Sequence, residues 1–204
     1  MSQGKQAKVL SEAQIKATTQ YLSTTRNSLR DSVILLLSVK SGLRAKEISY
    51  LTWQMVTDPE GSIGDAIALQ NVASKGKNGG RTIPLNKELK VALEALKDFA
   101  AAKRAEKGFP FDLAAHVITS ERGERLSPNS VAHWFKRLYG SLGFDGCSSH
   151  SGRRTAITRW AKNTSRAGGS LRDVQELAGH SSLATTQRYV QGDTAAKRKL
   201  VDMG

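Results

Sequence analysis

Apolar residues recur at three- and four-residue intervals through most of this chain, the spacing of amphipathic helices. "LSEAQIKATTQYL", residues 10–22, opens on Ser11 as an N-cap and predicts the first helix. A second is predicted over residues 28–40, where the run "VILLL" leaves no polar side and implies deep burial. Ser41-Gly42 breaks the pattern, and "LRAKEISYLTW" resumes helical spacing from Leu43. Residues 87–107 predict a long helix with Val91, Leu93, Leu96 and Phe99 as its apolar side. Ser127 caps and Pro128 opens another, through "SPNSVAHWFKRLYGSLG". "SSHSGRRTAITRWAKN" offers Ser148 or Ser149 as an N-cap, and "SLRDVQELAGH" runs from Ser170 to a glycine stop at Gly179. "SSLATTQRYV" and "TAAKRKLV" read as short closing helices.

The rhythm changes in one region. "AIALQNV" and "RTIPL" predict two short strands, with "ASKGKNGG" between them as a flexible, basic hairpin tip. "HVIT" reads as a further extended piece. "NTSRAGGS", residues 163–170, is a loop too short to link domains. The expected architecture is therefore mainly α, with a small antiparallel β-hairpin set into a single domain over residues 1–204. Residues 1–9 are expected to be a flexible N-terminus and residues 193–204 a C-terminal tail.

Charge narrows the class of partner. The chain carries 31 Lys and Arg against 18 Asp and Glu, a formal charge of +13. Such an excess favours a polyanion, since each phosphate contacted releases condensed counterions. Nucleic acid is the first candidate and an anionic membrane surface the second. "VILLL" is far too short to span a bilayer, and "MSQGKQAKVL" has no signal-peptide core. Cys147 is the only cysteine, and the histidines at 116, 133, 150 and 180 have no metal-ligand spacing. These features predict a cytoplasmic protein that needs neither metal nor cofactor.

Several residues could carry chemistry. In "HSGRR", His150 and Arg153 share one face at a helix start, where free N–H groups already favour an anion. In "SGLRAKEISYL", Arg44 follows a glycine break and Glu47 lies one turn on. Taken singly, these fit a solvated basic helix end and a surface ion pair worth about 0.2–0.5 kcal/mol. Lys75 and Lys77 in the hairpin fit solvated loop charges. Together with Tyr189 they fit something else. A tyrosine hydroxyl that attacks phosphorus needs cations on the nonbridging oxygens, a proton acceptor for the phenol and a proton donor for the departing sugar oxygen. Two arginines, two histidines, a lysine and a tyrosine supply each role.

The order Arg44, Lys75, His150-x-x-Arg153, Gly179-His180, Tyr189 resembles the tyrosine recombinase (phage-type integrase) family. "SGLRAKEISYLTW", "SHSGRRTAITRWA" and "LRDVQELAGHSSLATTQRYV" carry the likeness, which extends over most of the chain and describes the family's catalytic domain. The resemblance implies that Arg44 and Arg153 clamp the scissile phosphate and that His180 adds a hydrogen bond. It implies His150 as acid–base partner, Lys75 as the proton donor to the 5′ oxygen and Tyr189 as the nucleophile of a 3′-phosphotyrosyl link. Glu47 would orient the site through Arg44 or His150. The implied enzyme is a site-specific recombinase of double-stranded DNA, independent of metal and ATP, working as a homo-oligomer (a tetramer on two DNA sites).

Some features depart from the family pattern. The tip "SKGKNGGR" is one residue longer than the usual Lys-Gly-x-Lys-x-Arg, so Lys77 is the alternative to Lys75. "NTSRAGGS" lengthens the interval from His150 to His180, and Gly152 stands where a leucine is common, which weakens the expected packing there. About forty residues precede Arg44, so the chain resembles compact members without the usual N-terminal DNA-binding domain, and an accessory DNA-binding protein could take its place. The rival readings are an inactive DNA-binding module or regulator derived from a recombinase, and a type IB topoisomerase. A metal-dependent nuclease would need a carboxylate cluster that the sequence lacks.

Overall fold

The computed structural model describes residues 7–73, 80–189 and 201–202. Lys75 and Lys77, the hairpin tip and most of "TAAKRKLV" lie outside the described residues. Eight α-helices are present among them: α1 (Glu12–Ser23), α2 (Ser28–Val39), α3 (Ala45–Tyr50), α4 (Lys87–Ala105), α5 (Pro128–Ser141), α6 (Ser151–Asn163), α7 (Leu171–Ala178) and α8 (Leu183–Gln187). Strands β1 (Ala66–Leu69) and β2 (Arg81–Pro84) pair antiparallel, with Ile67 opposite Ile83 and Leu69 opposite Arg81. The mainly α architecture with one small hairpin is as the patterning implies.

Helix α2 is the centre of the fold. Residues Val33 through Leu37 and Val39 are buried all round, and α1, α3, α4 and α6 pack against it. That is why its sequence shows no polar stripe. Helix α5 seats Val131, Phe135, Leu138 and Tyr139 against α3, while β1 and β2 contribute Ile67, Leu69 and Ile83 to the same core. A second, smaller cluster joins Ile157 of α6 to Val174 and Ala178 of α7, with Trp160 and Tyr189 packed on it.

Three local expectations change. On α4 the buried residues are Leu89, Leu93 and Leu96, whereas Val91 is 64% and Phe99 47% exposed. The apolar stripe follows the i, i+4, i+7 spacing from Leu89, which puts Val91 off the core face. Helix α6 has His150 at its N-cap with no side-chain cap bond, and Ser148 Oγ instead accepts from the His150 N–H at 3.3 Å. The loop at 163–170 is shortened by a 3-10 turn over Ser165–Ala167.

Gly152 has a clear purpose. A Cβ there would lie 2.3 Å from Ser38 Oγ and 2.9 Å from Ser38 Cβ, so the glycine lets α6 approach α2 closely. The expectation of weakened packing gives way to a close helix contact. Gly42 makes the turn from α2 into α3 at φ +63°, a conformation that L side chains rarely adopt. Its carbonyl is then free to point at α6, where the site begins.

Candidate active site

Arg44, Glu47, Arg153 and His180 come from three separate stretches of chain, and the fold brings them together. Arg44 is the N-cap of α3, and Glu47 sits one turn inside that helix at 1% exposure. The Glu47 carboxylate accepts from Arg44 N–H at 2.8 Å and from Arg44 Nη1 at 2.8 Å. It also accepts two bonds from Arg81, Nη1 at 2.9 Å and Nη2 at 3.1 Å. Burial pushes the Glu47 carboxyl up, but the hydrogen bonds and charges of Arg81 and Arg44 outweigh it and hold it below its ordinary value. This is a buried, doubly paired carboxylate in place of the surface ion pair that spacing alone suggests. Its partners are Arg44 and Arg81. His150, whose Nδ1 is 3.4 Å from Ser149 Oγ, is not among them.

In the sequence Arg81 reads only as the first residue of a strand. Its side chain is 8% exposed, and its Nε donates to Leu177 O at 2.9 Å, joining β2 to α7 as well as to α3. The signal was available: the arginine that ends the family's hairpin pattern falls at Arg81. Gly179, at φ +60°, ends α7 directly against this strut, where a Cβ would sit 2.9 Å from Arg81 Nη1.

Arg153 is 4% exposed in the first turn of α6. Its Nη1 donates to Gly42 O at 2.6 Å and its Nη2 to Ala178 O at 2.7 Å. Two carbonyls from different helix ends thus fix the plane of the guanidinium. Burial, with the neighbouring charges of Arg44 and Arg81, lowers its pKa to about 10, so it stays protonated at neutral pH.

His180 follows the glycine cap of α7. Its backbone carbonyl accepts from Gln175 Nε2 at 3.0 Å, and its Nδ1 lies 2.9 Å from Thr186 Oγ1. Burial, then the charges of Arg153, Arg44 and Arg81, pull its pKa down to about 4. The imidazole is therefore neutral at physiological pH. Tyr189 follows α8, and its ring stacks on that of His180 with centroids 5.5 Å apart and planes at 24°.

A cleft of about 890 Å³ opens beside the tyrosine. His150, Arg153, Arg154, Arg188 and Lys8 line it with Tyr189, and no Asp or Glu does among the described residues. Exposed His150 and half-buried Tyr189 thus share one positively charged hollow. Such a lining suits an anion with several oxygens. Among the described residues no group of three or more His, Cys, Asp or Glu is placed to hold a metal ion. No helix among them is long and apolar enough to cross a membrane.

Known proteins resemble this chain in both sequence and fold. Residues 8–195 match the sequence profile of the phage integrase family. The tyrosine recombinase XerC of Actinobacillus pleuropneumoniae serotype 7 is 34% identical over 178 residues, 86% of this chain and 52% of that protein. XerC of Bradyrhizobium diazoefficiens is 32% identical over 166 residues, 81% of this chain and 46% of that protein. The chain thus spans about half the length of the curated relatives it matches. Among solved structures, the XerA recombinase superposes at a TM-score of 0.71 with 22% identity, covering 96% of this chain and 64% of that one. The Tn1549 transposon integrase in complex with circular intermediate DNA superposes at 0.74 with 19% identity, covering 100% and 68%. With its fold shared by these structures and most of its length matched in sequence, the chain belongs to the phage integrase family, whose matched relatives are tyrosine recombinases.

Proposed function

We propose that residues 1–204 act as a catalytic domain that cleaves and rejoins DNA at specific sites through a covalent 3′-phosphotyrosine. The observation that carries this reading is the placement of Tyr189 at a cleft lined by His150, Arg153, Arg154 and Arg188, with its ring stacked on His180. In this reading Tyr189 Oη attacks the scissile phosphorus and the bond to the 5′ oxygen breaks. Arg44 and Arg153 hold the nonbridging oxygens, Arg153 as a donor already aligned by two carbonyls. His180, neutral in this site, donates one hydrogen bond to the phosphate rather than a charge. His150 takes the phenolic proton, since it lines the cleft beside the tyrosine. Lys75 gives a proton to the departing 5′ oxygen. Glu47 orients Arg44 from behind, and Arg81 orients Glu47.

One covalent ester replaces another, so the bond energy is kept and religation needs neither ATP nor a metal. Exchange between partners requires two duplexes, which is the reason to expect a homo-oligomer, with four active sites acting on two DNA sites. The solved relatives include a lambda integrase dimer bound to a core site and the XerH recombinase bound to its difH substrate. Because the curated relatives are about twice as long, a further DNA-binding element, in the same polypeptide or in an accessory protein, would complete the grip on the duplex.

Covalent capture tests the reading. The protein is incubated with fragmented DNA from its source, denatured, and the attached DNA sequenced beside a Tyr189→Phe control. Adducts that depend on Tyr189 and recur at one sequence are expected. DNA binding without adducts above the control would remove the nucleophile from the mechanism.

A further inference from the structure

Thr186 lies in the short helix between His180 and Tyr189, and neither its type nor its spacing marks it in the sequence. In the fold it is fully buried. Its hydroxyl sits 2.9 Å from His180 Nδ1, and no other hydrogen bond to that oxygen occurs among the described residues. A hydroxyl offers one proton and two lone pairs, whereas a neutral imidazole offers one N–H and one bare nitrogen. Two arrangements are therefore open. If Nδ1 carried the proton, it would donate to the threonine, and the hydroxyl proton would be left buried with nothing to accept it. If Nδ1 is bare, the hydroxyl donates to it and both atoms of the pair are satisfied. An unmatched buried donor is the costlier state.

We propose that Thr186 is a positioning residue that fixes the tautomer of His180, giving its proton to Nδ1 so that Nε2 carries the N–H. The consequence rests on the strand-transfer reading above: Nε2–H is then the atom that donates to the scissile phosphate. The opposite tautomer would present a lone pair to an anionic oxygen and repel it. The groups that face the ring make this matter. Burial, then the charges of Arg153, Arg44 and Arg81, keep His180 uncharged, so it has a single proton to place. Tyr189 covers one face of the ring, and Gln175 holds its backbone carbonyl at 3.0 Å. With the ring held on these sides, the threonine decides which nitrogen is the donor.

The test is direct observation of the ring nitrogens. Two-bond 1H–15N correlation spectra of the full chain, labelled at histidine, distinguish protonated from bare nitrogens, and a His180→Gln variant assigns the signals. The expected wild-type result is a protonated Nε2 and a bare, hydrogen-bonded Nδ1. Thr186→Val, nearly the same shape without the hydroxyl, is expected to give a mixture of tautomers, and Thr186→Ser to keep the wild-type pattern. On nicked DNA substrates that trap the covalent product, Thr186→Val is expected to cleave about tenfold more slowly, less than the about 100- to 1,000-fold loss of removing such a donor outright because part of the population keeps the right tautomer, with Thr186→Ser close to wild type. A protonated Nδ1 in the wild type, or a Thr186→Val spectrum unchanged from it, overturns the proposal. If the valine variant does not fold, the wild-type and serine spectra decide alone. A wild type with protonated Nε2 that forms no covalent product supports the tautomer assignment while sinking the strand-transfer reading, so the two fail separately.

Discussion

Replacing Glu47 by glutamine exchanges one oxygen for an NH2 at the most connected point of the site. The carboxylate takes four hydrogen bonds, Arg44 N–H and Arg81 Nη2 on Oε2, Arg44 Nη1 and Arg81 Nη1 on Oε1. However the amide is turned, its NH2 faces two donors, so half of the bonds become donor-to-donor contacts. The charge is lost as well, leaving Arg44, Arg81 and Arg153 together with no ion-paired carboxylate among the described residues. Removing one partner of a buried pair costs about 3–5 kcal/mol. Arg44 is 31% exposed and water offsets part of its loss, whereas Arg81 at 8% is not relieved in this way. The lower end, about 3 kcal/mol at pH 7, is the expected destabilisation. A domain of ordinary stability, about 5–15 kcal/mol, survives it folded.

The pH dependence provides an internal control. The Glu47 carboxyl is held below its ordinary value of 4.5 in the folded protein. Its contribution is therefore complete above that value and is lost as pH falls through the lower folded-state value. Urea unfolding of wild type and Glu47→Gln, followed from pH 7 to pH 3, should show a gap that is constant down to about pH 5 and then narrows. A gap under about 1 kcal/mol at pH 7, or one that does not narrow in acid, would refute the picture of a buried ionised carboxylate.

Three other outcomes are expected. Gly152→Ala should cost about 1–3 kcal/mol by overpacking against Ser38, and Ser38→Gly should recover part of that loss in the double variant; simple additivity in urea melts would count against the close contact. His180 has a folded-state pKa of about 4 against an ordinary 6.5, so its neutral form supports the fold fully above 6.5 and less as pH falls toward 4. Unfolding free energies of wild type should thus fall more steeply than those of His180→Gln between pH 7 and 5, and parallel curves would show that the ring is not held neutral. A dinucleotide phosphodiester at tenfold its Kd should stabilise the protein by about 1.4 kcal/mol, a melting shift of about 3–6 °C. Its uncharged methylphosphonate analogue should not, and equal shifts would mean that the arginine cluster does not read phosphate charge.

How far the sequence foretold this molecule depends on the kind of interaction. Helices with a strong apolar period were legible, because the 3.6-residue repeat records burial directly. The breaks at Gly42 and Gly179 were legible because only glycine suits their backbone. Val91 and Phe99 misled because an apolar residue on a solvent face looks the same in sequence as one in the core. Arg44, His150, Arg153, His180 and Tyr189 stood out only as a set in order, and the fold supplies what order cannot show: Glu47 is buried, and Arg153 is aimed by two carbonyls. Arg81 is marked only by the family's hairpin pattern, since its partner Glu47 is far away in sequence. Thr186 carries no mark at all, because a helix turn alone brings it beside His180 and such a pairing leaves no period.

The site also explains why its arginines differ in burial. Arg153 cannot be solvated, so the backbone solvates it, through Gly42 O and Ala178 O, which are orphan carbonyls near helix ends. Arg81 is tied by two nitrogens to the Glu47 carboxylate and by its Nε to Leu177 O. Arg44 is tied to the same carboxylate by only one side-chain nitrogen and keeps 31% exposure. Three guanidiniums therefore share one negative charge, and the excess is concentrated where Arg44 and Arg153 lie nearest each other. That excess is a standing electrostatic cost in the free protein, visible in the lowered pKa values of Arg153 and His180, each of which responds to its guanidinium neighbours after burial. A phosphodiester brings the missing charge. On the proposed function, such a ligand meets a site already positive and need not rearrange the donors that would stabilise the transition state, which is the condition under which such donors contribute most to rate.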